Sequence, residues 1–218
     1  MINNNYEFID IFEKKIAKYA GSKYAIAVDS CSNALFLCLK YLKAEGVIKL
    51  PSRTYLSVPM QVTHAGCEVE FKDYGWKGSY HLDPYPIVDA AQMFTKNMYE
   101  KGTYYCLSFQ ASKILKIGKG GMILTNDRKS VQWFRRMSFD GRDRNKMVNK
   151  DKIDMVGYHM NMIPDDAVKG LLLMNVLPKN NLPNGGYLTY RDLSKMEVFK
   201  KWEKFYLYVP TQMMKHMG

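Results

Sequence analysis

Histidine is scarce in this chain. The four histidines, His64, His81, His159 and His216, form no H-E-x-x-H or similar cluster, so a dedicated metal site is not expected. Cysteine is equally sparse. Cys31, Cys38, Cys67 and Cys106 show no C-x-x-C spacing and read as reduced thiols. Long apolar runs are missing too. The best candidate, "YAIAVDSCSNALFLCLKYL", is interrupted by Asp29, Ser30, Ser32 and Asn33, which excludes a membrane span of ~20 apolar residues. The opening "MINNNYEFIDIFEKK" lacks the basic-then-apolar pattern of a signal peptide. These absences predict a cytoplasmic protein with no membrane partner. No internal repeat is visible.

What is present is ample apolar residue and an uneven charge. The 218 residues are 47% hydrophobic, enough to bury a core, so disorder is not the default. The formal net charge is +11. Residues 1–110 carry 12 basic and 11 acidic side chains, whereas residues 111–218 carry 20 and 10. The densest stretch, "RKSVQWFRRMSFDGRDRNKMVNKDK" at 128–152, has nine basic and three acidic residues. It favours a phosphorylated or nucleotide-bearing partner; a solvated helix face followed by a basic loop explains it equally well. Trp133, Phe134 and Phe139 interleave with the charges, but no nucleic-acid-binding module is recognisable, so a nucleic-acid partner is not expected.

Helix and strand signals alternate. Phe8, Phe12, Ile16 and Tyr19 recur at helical spacing before Gly21. Strands are predicted at 24–28, 47–50, 67–71, 85–88, 104–107 and 122–126. Helices are predicted over 34–46, 55–66, 127–139 and 164–177, and "AAQMF" is read as the start of another. The tail from 178 onward is rich in Asn, Gly, Lys and Tyr, with one amphipathic helix expected near 190–206. Repeated β-α units with apolar strands imply an α/β fold, a mostly parallel sheet flanked by helices. Residues 1–177 form the large domain of this reading and 178–218 a short C-terminal extension. Ligands of such sheets sit at the carboxyl ends of the strands.

Four loops there carry suggestive residues. Ser30, Cys31, Ser32 and Asn33 open a helix, as an anion site or as an ordinary N-cap. Thr54-Tyr55 offers an aromatic that could stack on a planar ligand or belong to the core. Asp89, with Gln92 three residues on, could meet a protonated ring nitrogen or cap a helix. Ser108 and Lys113 lie between two apolar strands, in "SFQASKILKIGKGG". Phosphate cradle, aromatic, acid and lysine at one sheet edge are what pyridoxal phosphate requires.

The segments "FEKKIAKYAGSKYAIAVDSCSNAL", "LPSRTYLSV", "VDAAQMF", "LSFQASKILKIGKGGMILTND", "RRMSFDGRDRN" and "GYHMNMIPDDAVKGLLL" resemble, in order, the DegT/DnrJ-type family of pyridoxal-phosphate-dependent sugar aminotransferases. The resemblance implies a type I aspartate-aminotransferase-like fold and a homodimer with active sites at the interface. It implies that Lys113 forms the internal aldimine, Asp89 faces the pyridinium nitrogen, and Gln92 bonds near the phenolic oxygen. It implies that Tyr55 covers the ring and that Ser30, Cys31, Ser32 and Ser108 hold the phosphate. A lysine at this place, rather than the histidine of related dehydratases, points to transamination.

The chain departs from that pattern at several points. Between Phe71 and Asp89 it carries only "KDYGWKGSYHLDPYPIV", without the family's further β-α unit, and the small C-terminal domain is largely missing. His159 stands where the family commonly has an asparagine that reaches the neighbouring subunit's cofactor phosphate, and Asn161 where it has arginine. Cys31 and Asn33 replace smaller residues. The expected reaction is transfer of an amino group, from L-glutamate, to a keto sugar carried on a nucleotide diphosphate. Arg142 is the candidate for the diphosphate and Arg53 for the donor carboxylate. A non-catalytic cofactor- or sugar-nucleotide-binding module is the alternative.

Overall fold

The structure is a computed structural model that describes residues 6–200. Helix α1 (Glu7–Ala20) buries Ile9, Phe12, Ile16 and Ala20 at helical spacing and ends at Gly21. Burying each large side chain contributes about 1.5–3 kcal/mol. Then follow β1 (Tyr24–Val28), α2 (Cys31–Tyr41), β2 (Val47–Pro51), α3 (Ser57–His64) and β3 (Glu68–Lys72). The second half holds β4 (Tyr80–His81), β5 (Ile87–Asp89), β6 (Tyr104–Ser108), β7 (Gly121–Thr125), α4 (Arg128–Met137) and α5 (Pro164–Val176).

Five strands form one sheet in the order β1-β7-β6-β5-β4, and β2 and β3 pair separately. Side chains alternate across the main sheet, as a period of two requires. Ala25, Ala27, Met122 and Leu124 face a core with Phe12, Ile16 and Phe109. Ile26, Val28, Ile123 and Cys106 face a second core with Leu35, Leu39, Ile48 and Phe134. Helices cover both faces: α1 packs against α5 on one, α2 against α4 on the other. This three-layer α/β arrangement bears out the expected fold class.

Two expectations need correction. The sheet is mixed rather than mostly parallel. Only β5 and β6 pair in parallel within it; β1 with β7, β7 with β6, and β4 with β5 are antiparallel. A loop, not a helix, joins β6 to β7, so no crossover returns the chain to a parallel direction. The segment "AAQMF" does not start a helix. Its own amides bond elsewhere, the Ala90 N–H to the Cys106 carbonyl and the Ala91 N–H to the Asp89 carboxylate, and just beyond it the Lys96, Asn97 and Tyr99 amides go to the Lys179, Tyr19 and Ala20 carbonyls.

Residues 178–200 have no core of their own. Asn181 bonds the Tyr19 hydroxyl and the Phe94 carbonyl, and Leu193 is buried. Of the helix expected near 190–206, the described part contains a 3-10 turn, Leu193–Lys195, and one α-helical turn, Glu197–Lys200; residues 201–206 lie outside the described residues. The basic 128–152 segment is partly neutralised from within. Arg135 and Arg144 both reach Glu13, and Arg144 also pairs with Asp10. Arg136 pairs with Asp154. All four cysteines are buried free thiols. Among the described residues no helix is long and apolar enough to cross a membrane, and no three metal-ligating side chains cluster.

Candidate active site

A cavity of about 180 Å³ opens at the carboxyl ends of β1, β5 and β6. Ser30, Cys31, Ser32, Tyr55, Asp89, Ser108 and Lys113 line it. The fold thus gathers seven sequence-predicted residues from four separate stretches of chain.

Helix α2 begins at the cavity. Ser30 is its N-cap, and the Ser30 hydroxyl accepts from the Asn33 N–H at 3.2 Å. The Ser32 and Ser57 hydroxyls bond at 2.5 Å. Helix and sheet meet closely here. A Cβ on Gly121, at the start of β7, would stand 2.3 Å from the Ser30 carbonyl carbon and 2.5 Å from the Cys31 nitrogen. Only glycine lets the helix N-terminus sit directly on the strand.

Lys113 occupies the loop between β6 and β7. Leu115 and Ile117 anchor that loop in the core beside Phe109, and the Phe109 and Gly118 amides close it against the Gly120 and Phe109 carbonyls. Anchors on both sides hold Lys113 inward, and the residue is only 8% exposed. Among the described residues its amine has no hydrogen-bond or ion-pair partner. Burial pulls its pKa below the ordinary lysine value, against the opposing pull of Asp89 and Cys31.

Asp89 ends β5 and is 4% exposed. Its carboxylate accepts from the Ala91 N–H at 2.9 Å, the Tyr80 hydroxyl at 2.7 Å and the Cys31 thiol at 3.8 Å. The Tyr80 hydroxyl in turn meets Thr54. Desolvation pushes the Asp89 pKa up, and the donated hydrogen bonds and Lys113 pull against it. Burial also raises the Cys31 thiol, with Asp89 adding to the shift. Cys31 is therefore held as the neutral thiol.

Four predicted residues do not line this cavity. The Gln92 side-chain amide donates to the Tyr190 hydroxyl. Arg53 donates to the Tyr190 carbonyl at 3.1 Å and lies over the Tyr187 ring. Arg142 sits over the Phe139 ring, 5.3 Å from its centroid. His159 is 81% exposed at its side chain and meets Asp140 at 3.0 Å. Tyr55 is on the cavity rim, 54% exposed.

Residues not singled out in the sequence complete the site. Ser57, Gln110 and Lys119 line it. Tyr80 is placed by strand register: it stands directly opposite Asp89 in the β4–β5 pair, so the two side chains share a face. No sequence signal marks Tyr80, because β4 is two residues long. Tyr190 lies in the Asn- and Gly-rich tail, where nothing distinguishes it from its neighbours.

The model of the DegT/DnrJ/EryC1/StrS aminotransferase family matches residues 1–99 and 87–181. The chain belongs to that family. This DegT/DnrJ/EryC1/StrS member is 26% identical to the spore coat polysaccharide biosynthesis protein SpsC of Bacillus subtilis, over 73% of this chain and 54% of SpsC. Its fold is similar to that of the sugar aminotransferase CalS13 from Micromonospora echinospora (TM-score 0.67, 14% identity, 80% of this chain and 62% of CalS13). It is also similar to Spr1654 from Streptococcus pneumoniae, solved in its PMP form (TM-score 0.62, 16% identity, 78% and 59%). The chain thus spans between about half and three fifths of the length of these relatives.

Proposed function

We propose that this chain binds pyridoxal 5′-phosphate and acts as an aminotransferase on a nucleotide-linked keto sugar, with L-glutamate as amino donor. The observation that carries the reading is a buried, unpartnered lysine amine sharing one cavity with a buried carboxylate and a helix N-terminus. The donor set fits the group. Ser30, Cys31, Ser32 and Ser108 would hold the phosphate with the first-turn amides of α2, where anions are favoured. Asp89, fixed by three donors, would hold the protonated ring nitrogen. Tyr55 would cover the ring and Gln92 would meet its phenolic oxygen.

Bound there, the cofactor supplies an aldehyde that captures an amine and a ring that accepts the electrons of the breaking bond. Lys113 supplies the amine. Its lowered pKa leaves more of it neutral, and so nucleophilic, than an exposed lysine near neutral pH. The Lys113 Nζ then accepts a proton and returns it, as a general base and acid.

Exposed His159 and the basic segment with Arg142 serve a second copy's cavity in a homodimer. His159 would reach the neighbouring phosphate, and Arg142 the sugar's diphosphate. Arg53, on the loop before Tyr55, would take the donor carboxylate. The family match and the excess of basic side chains after residue 110 support a sugar-nucleotide substrate.

The test is chemical. Protein loaded with pyridoxal phosphate is reduced with borohydride and its peptides are mapped by mass. A pyridoxyl group on Lys113, absent from Lys113→Ala, is expected, together with 2-oxoglutarate formation from glutamate and keto-sugar nucleotides. Folded protein without the adduct refutes the reading and leaves a binding module.

A further inference from the structure

We propose that residues 183–193 form a strap that completes the active site, and that Tyr190 is a positioning residue that orients Gln92 for the cofactor ring. The inference rests on reading the cavity as a pyridoxal-phosphate site.

The strap is tied to the loops that carry the predicted residues. The Asn184 N–H donates to the Gln92 carbonyl at 3.0 Å. The Asn184 side chain donates to the Ser112 carbonyl at 2.9 Å, one residue before Lys113. At its other end, the Leu193 N–H donates to Ser52 at 2.8 Å, and Arg53 donates to the Tyr190 carbonyl at 3.1 Å. Between them, the Gly78 and Tyr187 amides bond to the Gly185 and Trp76 carbonyls.

These ties set Tyr190 beside the cavity. Its ring stacks on Trp76, with centroids 5.7 Å apart and planes 23° apart, and meets Tyr55 edge-on at 6.4 Å. Its hydroxyl accepts from the Gln92 Nε2. On the strap's other side Gln92 is confined by Gly185, where a Cβ would stand 2.8 Å from the Gln92 amide carbon. Glutamine alone has several rotamers and an amide that can face either way. Here the amide nitrogen is engaged by the Tyr190 hydroxyl, which holds the side chain in one rotamer and leaves a second N–H to donate. Pre-setting that donor is what a supporting hydrogen bond does for a binding group. Burial also raises the Tyr190 pKa, which keeps the phenol neutral.

The test is a double-mutant cycle on Tyr190→Phe and Gln92→Ala. Tyr190→Phe keeps the ring on Trp76 and removes only the hydroxyl. Two quantities are read: the dissociation constant for pyridoxal phosphate, and the pH titration of the bound cofactor's visible band. Tyr190→Phe is expected to weaken binding roughly fivefold, the equivalent of one hydrogen bond, and to shift the titration. In the Gln92→Ala background it should add nothing. Tyr190→Phe matching the wild type in both readouts overturns the inference alone, as does an undiminished effect on top of Gln92→Ala. Wild-type protein that takes up no cofactor overturns the proposed function and this inference together.

Discussion

Gly121→Ala tests whether the contact between α2 and β7 builds the cavity. The added Cβ would meet the Ser30 carbonyl carbon at 2.3 Å, the Cys31 nitrogen at 2.5 Å and the Ser30 oxygen at 2.6 Å. Non-bonded carbons prefer ~3.5–4.0 Å, so the helix N-terminus must retreat by about 1 Å. All three obstacles are main chain, and no rotamer change relieves them. The cost therefore belongs at the upper end of overpacking, about 3 kcal/mol. For a domain of this size that lowers the melting temperature by roughly 6–12 °C. Gly75→Ala is the matched control, since a Cβ there meets nothing within 4 Å. The displacement also falls on Ser30 and Cys31. Affinity for pyridoxal phosphate should therefore drop further than affinity for pyridoxal, which has no phosphate to hold. Thermal denaturation with and without each compound reads both effects. A Gly121→Ala protein melting within about 2 °C of wild type, with unchanged preference for the phosphorylated form, would refute the reasoning.

Three further outcomes follow from buried charge. Glu13 is 2% exposed and accepts from the Ala27 N–H at 2.9 Å and from Arg135 at 2.5 Å. Glu13→Ala should cost about 3 kcal/mol, the low end for breaking a buried pair because Asp10 still faces both arginines; the shift in urea midpoint measures it. Burial holds the Asp89 carboxyl above its ordinary value of 3.8. The native state therefore keeps that proton to higher pH than the unfolded chain does. Stability of cofactor-free protein falls as pH rises from 3.8 through the native value. Lys113 acts at the other end of the scale: its native pKa is lowered, so stability rises as pH climbs from that value towards 10.5. Urea titrations at stepped pH should show Asp89→Asn flattening the first trend and Lys113→Met the second; unchanged slopes would contradict the burial argument.

Most helices were legible because their apolar residues repeat at the helical period, and the central strands because they are short continuous apolar runs, buried on both faces. Ile26 and Val28 alternate with Ala25 and Ala27, and Ile9, Phe12 and Ile16 follow the helical turn. The Lys113 loop was legible because it lies between two apolar runs, 104–107 and 122–126, which form β6 and β7. What depended on distant pairing was hidden. No local pattern says that β1 runs antiparallel to β7. The helix expected to start at "AAQMF" failed because the Ala90 amide pairs with Cys106 and the amides that would continue it, Lys96, Asn97 and Tyr99, find partners far along the chain. Arg135 and Arg144 read as an external basic patch, yet both turn inward to Glu13. Tyr80 and Tyr190 entered the site through a two-residue strand and a polar tail, neither of which carries a periodic signal.

The strap's ties also set an order of events during translation. A nascent chain emerges N-terminus first, and folding proceeds as sequence becomes available. Ser30, Tyr55, Asp89 and Lys113 are all synthesised before residues 183–193. The lysine and the acid can therefore meet on a sheet whose strands are complete by Thr125 while the side facing Gln92 is still open. The wall beside Gln92 is thus supplied by a late-made part of the described chain, and a chain without residues 183–193 keeps the lysine and the acid while losing the ties that hold Gln92.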